Sequence, residues 1–567
     1  MAITGVEALL DMLSEFGVEY IFGNPGSTEL PLNDALAIDD RFEYILGLQE
    51  VPVMAIADGY SMASRKLGVV NLHICCGLGN AMGMLYNAYR EGTPLLVTAG
   101  QQDRRLMFEE PILGGDMVSV ARPWTKWSVE VQRIQDLPSA IRRAARVALT
   151  PPTGPVFMAL PVDLQMELAD DLDLSPIKLI DNRVRPPQEA LRQASALLLQ
   201  ASSPLILAGS RVNEAGGCEA LVQLAELLGA PVISESGTTH GRLVIPPDHP
   251  LYIQGGLPLW SPDVLARLEP YDVVFVAGMD MLRQYIYHEP SCPIPEHVKL
   301  IHLDEDPWQI GKNYQPEVGL VGHTREGLEE LVTLVRTGQD DTQRAKAEER
   351  SQQITAANQA ARNQLDEEID RQRGTTPLTP LCAMEAIARV LPAEVAVVEE
   401  AVTTTNTTLE RLGALKTTTG YFGHRGWALG WGLGVSIGVQ MAWPERPVIG
   451  ILGEGAAMYG IQGLWTAARY QVPVTFVICN NAQYHILKLC ARTLQLPQAQ
   501  QGTFKGLDIV GPEIDFVSLA RSLGVEAHRV EDADSLSDHI REGISSDKPL
   551  LLDVSISRGL GDRLNYG

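Results

Sequence analysis

Two short polar sequences follow apolar runs in the last third of the chain. The run Val448–Leu452 ends in Gly453-Glu454-Gly455, and after 24 more residues the run Val474–Cys479 ends in Asn480-Asn481. If these runs are neighbouring strands, the Glu454 carboxylate, the Asn481 side chain and the backbone carbonyl of Gln483 offer oxygen ligands that suit magnesium or calcium. The glycines let backbone approach a diphosphate, and a following helix offers it free N–H groups. Tight strand-to-helix turns also contain such glycines for steric reasons alone, so the triplet by itself leaves both interpretations open.

A second group that could do chemistry is Glu50, which lies in the mostly apolar segment Tyr44–Pro52. Glutamate is almost never buried without a partner, so a surface charge is one interpretation. The other is a buried acid, because burial raises the pKa of a carboxyl towards the range in which it exchanges protons at neutral pH. The segment alone does not decide between them.

Three α/β units in series would position these groups, because short apolar runs alternate with helical patterns along the chain. Polar breaks at Asp181–Gln188 and Thr342–Arg373 separate the units, and the second break has the composition of a solvated helix. We predict doubly wound parallel-sheet domains at 1–180, 188–340 and 375–567, with a linker helix at 341–374. The predicted strands are Tyr20–Phe22, Val69–Leu72, Pro94–Ala99, Pro155–Ala159, Pro204–Ala208, Pro231–Ser234, Val273–Ala277, Lys299–Leu303, Val395–Val398, Val448–Leu452, Val474–Cys479 and Pro549–Val554.

Composition limits the classes of function. The 567 residues are 45% hydrophobic and 20% charged, and no segment reaches the roughly 18 uninterrupted apolar residues of a membrane span, so we expect no membrane role. A formal charge of −25 disfavours nucleic acid, which is bound by clustered Lys and Arg. The seven cysteines are scattered, and Met1–Leu13 has the pattern of a first domain helix rather than of a signal peptide. A cytoplasmic location is the expectation.

A larger set of motifs accompanies the triplet and the asparagine pair. In order, they are Gly23-Asn24-Pro25-Gly26-Ser27, Leu48-Gln49-Glu50, Ala57-Asp58-Gly59-Tyr60, Asn71-Leu72-His73, Gly79-Asn80-Ala81-Met82-Gly83, Thr98-Ala99-Gly100-Gln101-Gln102, Leu464-Trp465-Thr466-Ala467-Ala468 and Gly506-Leu507-Asp508. This set resembles the thiamine diphosphate enzymes, in particular benzoylformate decarboxylase and its relatives. The resemblance implies a first domain that binds the pyrimidine of thiamine diphosphate, a middle domain, and a last domain that binds its diphosphate through Mg²⁺. It also implies cofactor sites shared between subunits, hence a homodimer at least, with a homotetramer as the further expectation.

The resemblance assigns cofactor roles to several residues. Glu50 would hydrogen-bond the aminopyrimidine ring, Leu429 would be the apolar wedge that bends the cofactor, and the Trp427 carbonyl would accept the aminopyrimidine amine. An apolar stretch such as that around Leu429 is also compatible with simple core packing. The other implied cofactor contacts are Asn24, Pro25, Gly26, Asn80, Thr403, Thr404, Gly453, Gly455, Ala456, Ala457, Tyr484 and Ile486, and the implied metal ligands are Glu454, Asn481 and Gln483.

Three residues would face the substrate by the same resemblance. Ser27 would orient the substrate carboxylate, although a serine before Glu29 could merely cap a helix. His73 and His288 would move protons to and from the substrate, because imidazole titrates near neutral pH. A lone histidine at the end of a strand, as His73 is, can instead be structural.

The chain departs from the family at Glu454, where aspartate is usual. Glutamate is one methylene longer, so either the loop retreats to keep a metal distance of about 2.0–2.1 Å, or the site prefers a larger ion, or metal binding is weak or absent. Ala456 also lacks a hydroxyl that relatives often have there.

Five positions would line the substrate pocket: Ile112, Leu113, Val402, His485 and Ile486. The bulk of Val402 and Ile486 favours a smaller aliphatic 2-oxo acid over an aryl one, since one methylene in a tight pocket shifts discrimination by about 1–3 kcal/mol. His485 could face away, add a proton donor or meet a polar acceptor substrate.

Three functions follow. The first is a carboxy-lyase that releases carbon dioxide from a 2-oxo acid, and the second is a carboligase or lyase of the acetolactate synthase or 2-hydroxyacyl-CoA lyase type, with an aldehyde or ketone as partner. Ser27, His73 and His288 favour the first, because they favour protonation over reaction with a second carbonyl compound. The third is a cofactor-binding relative without activity. Whether the middle domain binds a nucleotide stays open.

Overall fold

Three parallel β-sheets, each covered by helices, follow one another along the chain. The computed structural model describes residues 2–175, 180–235 and 241–559. Strand pairs within the three sheets are parallel, and a two-stranded antiparallel ribbon joins the start of the chain to the end of the first unit. The predicted fold class of three parallel α/β units is therefore confirmed.

The first unit has a six-stranded sheet of order β3-β2-β4-β5-β7-β6. Its strands are β1 (Ile3–Thr4), β2 (Tyr20–Gly23), β3 (Glu43–Leu46), β4 (Gly68–Leu72), β5 (Leu95–Gln101), β6 (Trp127–Glu130), β7 (Val156–Pro161) and β8 (Leu168–Ala169), of which β1 and β8 form the ribbon. Its helices are α1 (Gly5–Glu15), α2 (Leu30–Leu36), α3 (Glu50–Ser64), α4 (Ile74–Glu91), α5 (Met117–Ala121), α6 (Leu137–Leu149) and α7 (Val162–Met166), with 3₁₀ turns at Arg104–Glu109, Arg122–Trp124 and Ile134–Asp136. A capping box between Thr4 and Glu7 begins α1, so the predicted first helix is confirmed.

The middle unit has a five-stranded sheet of order β10-β9-β11-β12-β13. Its strands are β9 (Pro204–Ala208), β10 (Val232–Ser234), β11 (Val273–Ala277), β12 (Lys299–Asp304) and β13 (Val318–Val321). Its helices are α8 (Gln188–Gln200), α9 (Ser210–Glu214), α10 (Cys218–Leu228), α11 (Ser261–Leu268) and α12 (Thr324–Gly338). A long polar helix, α13 (Asp341–Gln372), leads to the last unit, as the composition of that segment predicts.

The last unit has a six-stranded sheet of order β15-β14-β16-β17-β19-β18. Its strands are β14 (Ala396–Glu400), β15 (Tyr421–Gly423), β16 (Val448–Gly453), β17 (Val474–Asn480), β18 (Glu526–Val530) and β19 (Leu550–Ser555). Its helices are α14 (Pro380–Ala388), α15 (Val402–Thr405), α16 (Thr408–Arg411), α17 (Trp431–Ala442), α18 (Glu454–Gly460), α19 (Gly463–Arg469), α20 (His485–Thr493), α21 (Pro497–Gln500), α22 (Phe516–Ser522) and α23 (Ala533–Ser545).

The first and last sheets have the same topology. In both, the first strand lies between the second and the third, so the strand order reverses between β2 and β4 and again between β14 and β16. Open parallel sheets bind ligands beyond the carboxyl ends of the strands at such a reversal. The turn after β16 carries the glycine triplet, and the turn after β4 carries His73.

Two helices fix the first unit against the last. A Cβ on Gly438 of α17 would lie 1.9 Å from the Ile56 carbonyl oxygen of α3, and one on Gly59 of α3 would lie 2.4 Å from the Val435 carbonyl oxygen. The Trp431 indole N–H donates to the Asp58 carboxylate at 2.7 Å across the same contact. Because these backbones touch, the two units form one continuous core.

All twelve predicted strands are present, with ends shifted by at most two residues. The apolar runs fail to predict five strands of the three sheets, which are β3, β6, β13, β15 and β18. Each of the five lies at the edge of its sheet. An edge strand has a neighbour on one side only, and most of these five are partly exposed, so they lack the continuous apolar run of a buried parallel strand.

Candidate functional site

The carboxyl ends of β16 and β17 bring the predicted metal ligands together. Glu454 begins α18 directly after β16 and Asn481 follows β17, and both side chains are buried. The backbone N–H of Gln483 donates to Glu454 Oε1 at 3.0 Å and to Asn481 Oδ1 at 3.2 Å. A carboxylate oxygen and an amide oxygen thus converge at one sheet edge, which suits a hard divalent cation. The third predicted ligand, the Gln483 carbonyl, accepts from the His485 N–H at 2.9 Å.

The electrostatics of Glu454 favour a positive partner. Burial raises the pKa of its carboxyl, while backbone N–H groups of Gln483, Glu454 and Asn481 lower it. A cation beside the carboxylate would lower the pKa further and offset the cost of burying the charge. The turn that supplies these N–H groups passes through Ala482, which has a φ of 52°, a conformation that costs energy for a residue with a side chain.

The next loop closes over this turn. The backbone N–H of Tyr484 donates to the Leu507 carbonyl at 2.9 Å, and the buried Lys488 ammonium donates to Gln483 Oε1 at 2.7 Å and pairs with Asp508. A Cβ on Gly455 would lie 2.8 Å from the Tyr484 ring, so only glycine allows the ring to cover the triplet. Four further predicted cofactor contacts lie on α15 (Thr403 and Thr404), which follows β14, and on α18 (Ala456 and Ala457), which follows β16.

Glu50 is the first residue of α3, and only 7% of it is exposed, so it is not a surface charge. The Asn80 side chain donates to its Oε2 at 3.0 Å. Tyr470 of the last unit fixes the strand that leads to it, because the Tyr470 hydroxyl accepts from the Leu46 N–H at 2.9 Å and donates to the Tyr44 carbonyl at 3.0 Å. A buried carboxyl with a single amide donor is available to a further partner.

His73 is paired with a buried glutamate that the sequence analysis does not single out. Glu29 Oε2 lies 2.8 Å from His73 Nδ1, and the Glu29 side chain is fully buried. The backbone N–H groups of Gly26 and Gly100 donate to the same carboxylate at 3.0 and 2.8 Å. Since the carboxylate accepts from Nδ1, the Nε2 of His73 is left for a substrate. A Cβ on Gly26 would lie 1.9 Å from His73 Nδ1, so the imidazole lies directly against the Asn24–Gly26 turn.

The segment around Leu429 is held on both sides. Asn87 of α4 donates to the Ala428 carbonyl at 2.7 Å and accepts from the Ala428 N–H at 3.0 Å. The Glu400 carboxylate accepts from the N–H groups of residues 430–432 at 2.9–3.2 Å, and burial raises the pKa of Glu400 to about 7 despite these bonds. Leu429 itself is 38% exposed, and Trp427 has a φ of 65°. A half-exposed leucine between two anchored residues fits a wedge against a ligand.

An apolar wall joins the middle unit to the last. Trp260 and Leu259 form a cluster with Leu489 and Cys490, and the predicted pocket residues Val402 and Ile486 pack against it. Trp427 and Ile286 also lie against this cluster. Across the wall, the ring of His288 is 5.3 Å from that of Trp260, and the ring of Tyr285 is 5.7 Å from that of Trp427. The structure therefore brings His288, Val402 and Ile486 to one surface.

His485 begins α20 beside Ile486 and is buried. Its Nε2 has no hydrogen-bond partner among the described residues. Burial and then the neighbouring Lys488 lower the pKa of the imidazole, so it is neutral at pH 7. A buried, neutral ring nitrogen without a partner is available to a polar group of a ligand.

Three predicted residues lie elsewhere in the single chain. Ser27 is exposed and lines a surface groove with Leu30 and Pro31. Ile112 is 83% exposed and Leu113 is 36% exposed, both on the loop after the Arg104–Glu109 turn. One chain thus does not bring these residues to the Trp260 wall.

Four positioning residues were missed by the sequence analysis: Glu29, Asn87, Trp260 and Glu400. Glu29 follows the Asn24-Pro25-Gly26-Ser27 motif, and Glu400 lies two residues after the predicted strand Val395–Val398, so each carries a weak local signal. Asn87 and Trp260 have no such signal, because their partners are remote in sequence.

The described residues contain no group of three His, Cys, Asp or Glu side chains that could hold a metal ion. No helix within these residues is long and apolar enough to cross a membrane.

Three family models match the chain. The N-terminal TPP binding domain of thiamine pyrophosphate enzymes matches residues 3–110, the central domain matches 191–331, and the C-terminal TPP binding domain matches 401–554.

Individual relatives extend over nearly the full chain. Benzoylformate decarboxylase from Pseudomonas aeruginosa is 31% identical over 96% of this chain and 98% of that protein. A probable acetolactate synthase large subunit from Methanococcus aeolicus is 29% identical over 98% of this chain and 92% of that protein. The crystal structure of benzoylformate decarboxylase from Polynucleobacter necessarius superposes with a TM-score of 0.85 at 29% identity, covering 99% of this chain and all of that one.

Proposed function

Since the chain belongs to the thiamine pyrophosphate enzyme family, we propose that it is a thiamine diphosphate-dependent carboxy-lyase that releases carbon dioxide from a small aliphatic 2-oxo acid. The observation that carries the proposal is the pairing of Glu29 with His73, which fixes the tautomer of an imidazole beside the Asn24–Gly26 turn. A histidine whose Nδ1 is bound by a carboxylate is prepared to transfer a proton at Nε2. Proton transfer, rather than addition to a second carbonyl compound, completes a simple decarboxylation.

The residues present fit the cofactor at both of its ends. Glu454, Asn481 and Gln483 would hold Mg²⁺ and through it a diphosphate, and the support for this is that the Glu454 and Asn481 oxygens converge on the backbone of Gln483. Glu50, buried with one donor, would hydrogen-bond the aminopyrimidine, and Leu429 would support the bend between the rings. When bound, thiamine diphosphate supplies the nucleophilic carbon and accepts the electrons of the broken carbon–carbon bond.

The remaining steps fall to side chains of this chain. His73, when its Nε2 carries a second proton beside the Nδ1–H held by Glu29, would deliver that proton to the oxo oxygen of the substrate, and His288 on the Trp260 wall would protonate the carbon that loses carbon dioxide. Ser27 would orient the substrate carboxylate. The wall would exclude water, and the bulk of Val402 and Ile486 against it would leave less room for an aryl group than for an alkyl chain.

We further propose that each site is completed by a second subunit. Phe108 is 95% exposed and Ile112 is 83% exposed, and apolar side chains this exposed on one loop are typical of a covered surface. Ser27 and Leu113 are also exposed in the single chain, and Leu429, Met458 and Leu487 are exposed on the last unit. In a homodimer, the exposed residues of the first unit of one subunit would dock on the exposed residues of the last unit of the other. This docking would bring Ser27, Ile112 and Leu113 to the wall.

The main experiment is carbon dioxide release from a panel of aliphatic and aryl 2-oxo acids with thiamine diphosphate and Mg²⁺. We expect release from a small aliphatic acid and its loss in Glu50→Gln, with an exposed Glu43→Gln variant as control. No release from any acid, although the cofactor raises the melting temperature, would exclude the carboxy-lyase.

Mixing two inactive variants tests the shared site. If one cofactor contacts Glu50 of one subunit and Glu454 of the other, a mixed dimer of Glu50→Gln and Glu454→Ala chains has one intact site and regains activity. If the site lies within one chain, the mixture stays inactive.

One observation favours carboligation as a second function. The unpartnered Nε2 of His485 could bind the oxygen of an aldehyde or ketone acceptor beside Ile486. The test is whether the enzyme forms a ligation product from a 2-oxo acid plus an aldehyde. Carboligation is supported if His485→Phe loses this product while carbon dioxide release continues.

A further inference from the structure

A charged cavity lies between the first and the middle unit, apart from the residues discussed above. It has a volume of about 210 Å³ and is lined by the end of α3, the turn between α4 and β5, helix α9 and Arg242. A water molecule takes up about 30 Å³ of liquid volume, so the cavity has room for a small ion with some water.

Arg242 is the unusual group in this cavity. It is 6% exposed, the described residues place no carboxylate within ion-pair distance of its guanidinium, and its Nη1 has no hydrogen-bond partner among them. The flat face of the guanidinium lies 3.7 Å from the centre of the Phe422 ring in β15. Burial and the neighbouring Arg65 lower the pKa of Arg242 to about 10, while Glu214 raises it. A buried guanidinium is ordinarily paired, because leaving it unpaired is costly.

The other charged groups around the cavity are already engaged. Arg65 lines the cavity and donates to the Asn213 carbonyl at 3.0 Å. Glu91 accepts the backbone N–H of Arg425, and Glu214 Oε1 lies 3.6 Å from Arg425 Nη1. Burial raises the pKa of Glu91 to about 8, so this carboxyl is mostly protonated at neutral pH and does not repel an anion. Among the described residues that line it, the cavity therefore holds two guanidinium groups against one carboxylate, that of Glu214, which also faces Arg425.

We propose that this cavity binds a small oxyanion, a phosphate or a carboxylate, between Arg242 and Arg65. A guanidinium matches two oxygens of such an anion with parallel N–H donors, and its stacking on Phe422 leaves the edge of the fork free for them. The hydroxyl of Thr93, also buried in the cavity wall, can donate a third bond. The anion would tie α3 of the first unit to Arg242 of the middle unit.

The test uses the enzyme saturated with thiamine diphosphate and Mg²⁺, so that added phosphate cannot occupy the diphosphate site. The melting temperature is followed against inorganic phosphate, and separately against acetate, at an ionic strength held constant with sodium chloride. We expect a rise that saturates with one of the two anions, and its identity distinguishes phosphate from carboxylate. In Arg242→Met the midpoint of the rise should shift at least about ten-fold to higher anion concentration.

Arg192→Met, an exposed arginine on α8, is the matched control and should behave as the unmodified protein. Without anion, Arg242→Met should be no less stable than the unmodified protein, because it removes a buried unpaired charge. If Arg242→Met does not fold, Arg65→Met replaces it in the comparison. Two results overturn the proposal. An equal rise in all variants means a general salt effect, and no rise with either anion means that water alone solvates Arg242.

Discussion

Replacing Glu29 by glutamine tests whether this residue acts through His73. Three donors, from Thr28, Ile74 and Gly100, lie 2.8–3.2 Å from Oε1, so the single oxygen of a glutamine will stay with them. The new amide group then faces Oε2's former partners, the Gly26 N–H and His73 Nδ1. One buried N–H loses its acceptor, and His73 loses the carboxylate that fixes its tautomer.

The magnitude follows from these losses. A buried donor without an acceptor costs about 1–3 kcal/mol of folding free energy. If the loss of the charge-assisted bond to His73 raises the barrier to proton transfer by a similar amount, kcat falls about 5- to 150-fold. The unfolding midpoint in denaturant gives the first quantity, and the steady-state rate of carbon dioxide release gives the second.

A double-mutant cycle separates a positioning role from a structural one. If Glu29 acts through His73, the effects of Glu29→Gln and His73→Gln on kcat are strongly non-additive. Glu43→Gln, which removes an exposed carboxylate of the same unit, is the control for charge. A Glu29→Gln enzyme that loses stability but keeps kcat within about two-fold, or additive effects in the cycle, would refute the reasoning.

Three further predictions concern the metal, the wedge and pH. Glu454→Asp shortens the side chain that reaches the Gln483 N–H. We expect the rise in melting temperature with thiamine diphosphate to need less Mg²⁺ and more Ca²⁺ than in the unmodified protein. If the ratio of the Mg²⁺ and Ca²⁺ concentrations needed is unchanged, the extra methylene does not set metal choice. Asn87→Asp replaces the donor to the Ala428 carbonyl by a carboxylate oxygen that repels it. This change should raise the dissociation constant of thiamine diphosphate by about 5- to 150-fold by calorimetry, whereas Asn358→Asp, which makes the same change at a donor remote from the site, should not. Burial raises the pKa of the Glu305 carboxyl to about 8, so the folded state keeps a proton that the unfolded state releases near pH 4.5. The free energy of unfolding should therefore fall as pH rises between these two values. Glu305→Gln should flatten the pH dependence of the melting temperature over that range, and an unaltered slope would contradict the raised pKa.

The interior strands and the oxygen ligands could be predicted because their signals are local. A parallel strand covered on both faces is a continuous apolar run, and the run before Gly453 or Asn480 is enough to find it. Two such runs must end at the same sheet edge, which brings Glu454 to Asn481. The edge strands, such as β6 and β18, could not be found in this way, because their exposed faces are polar.

The sequence by itself determined the three α/β units, the interior strands of their sheets and the side chains able to bind a metal-held diphosphate, because these depend on residues close together in the chain. Only the tertiary structure decided which partners these groups have. Glu29 reaches His73 across 44 residues and Asn87 reaches Ala428 across 341, and no local pattern encodes such pairs. The shared topology of the first and last sheets and the unpaired Arg242 between the units likewise follow from packing, since close contact between distant elements decides which polar groups are buried together.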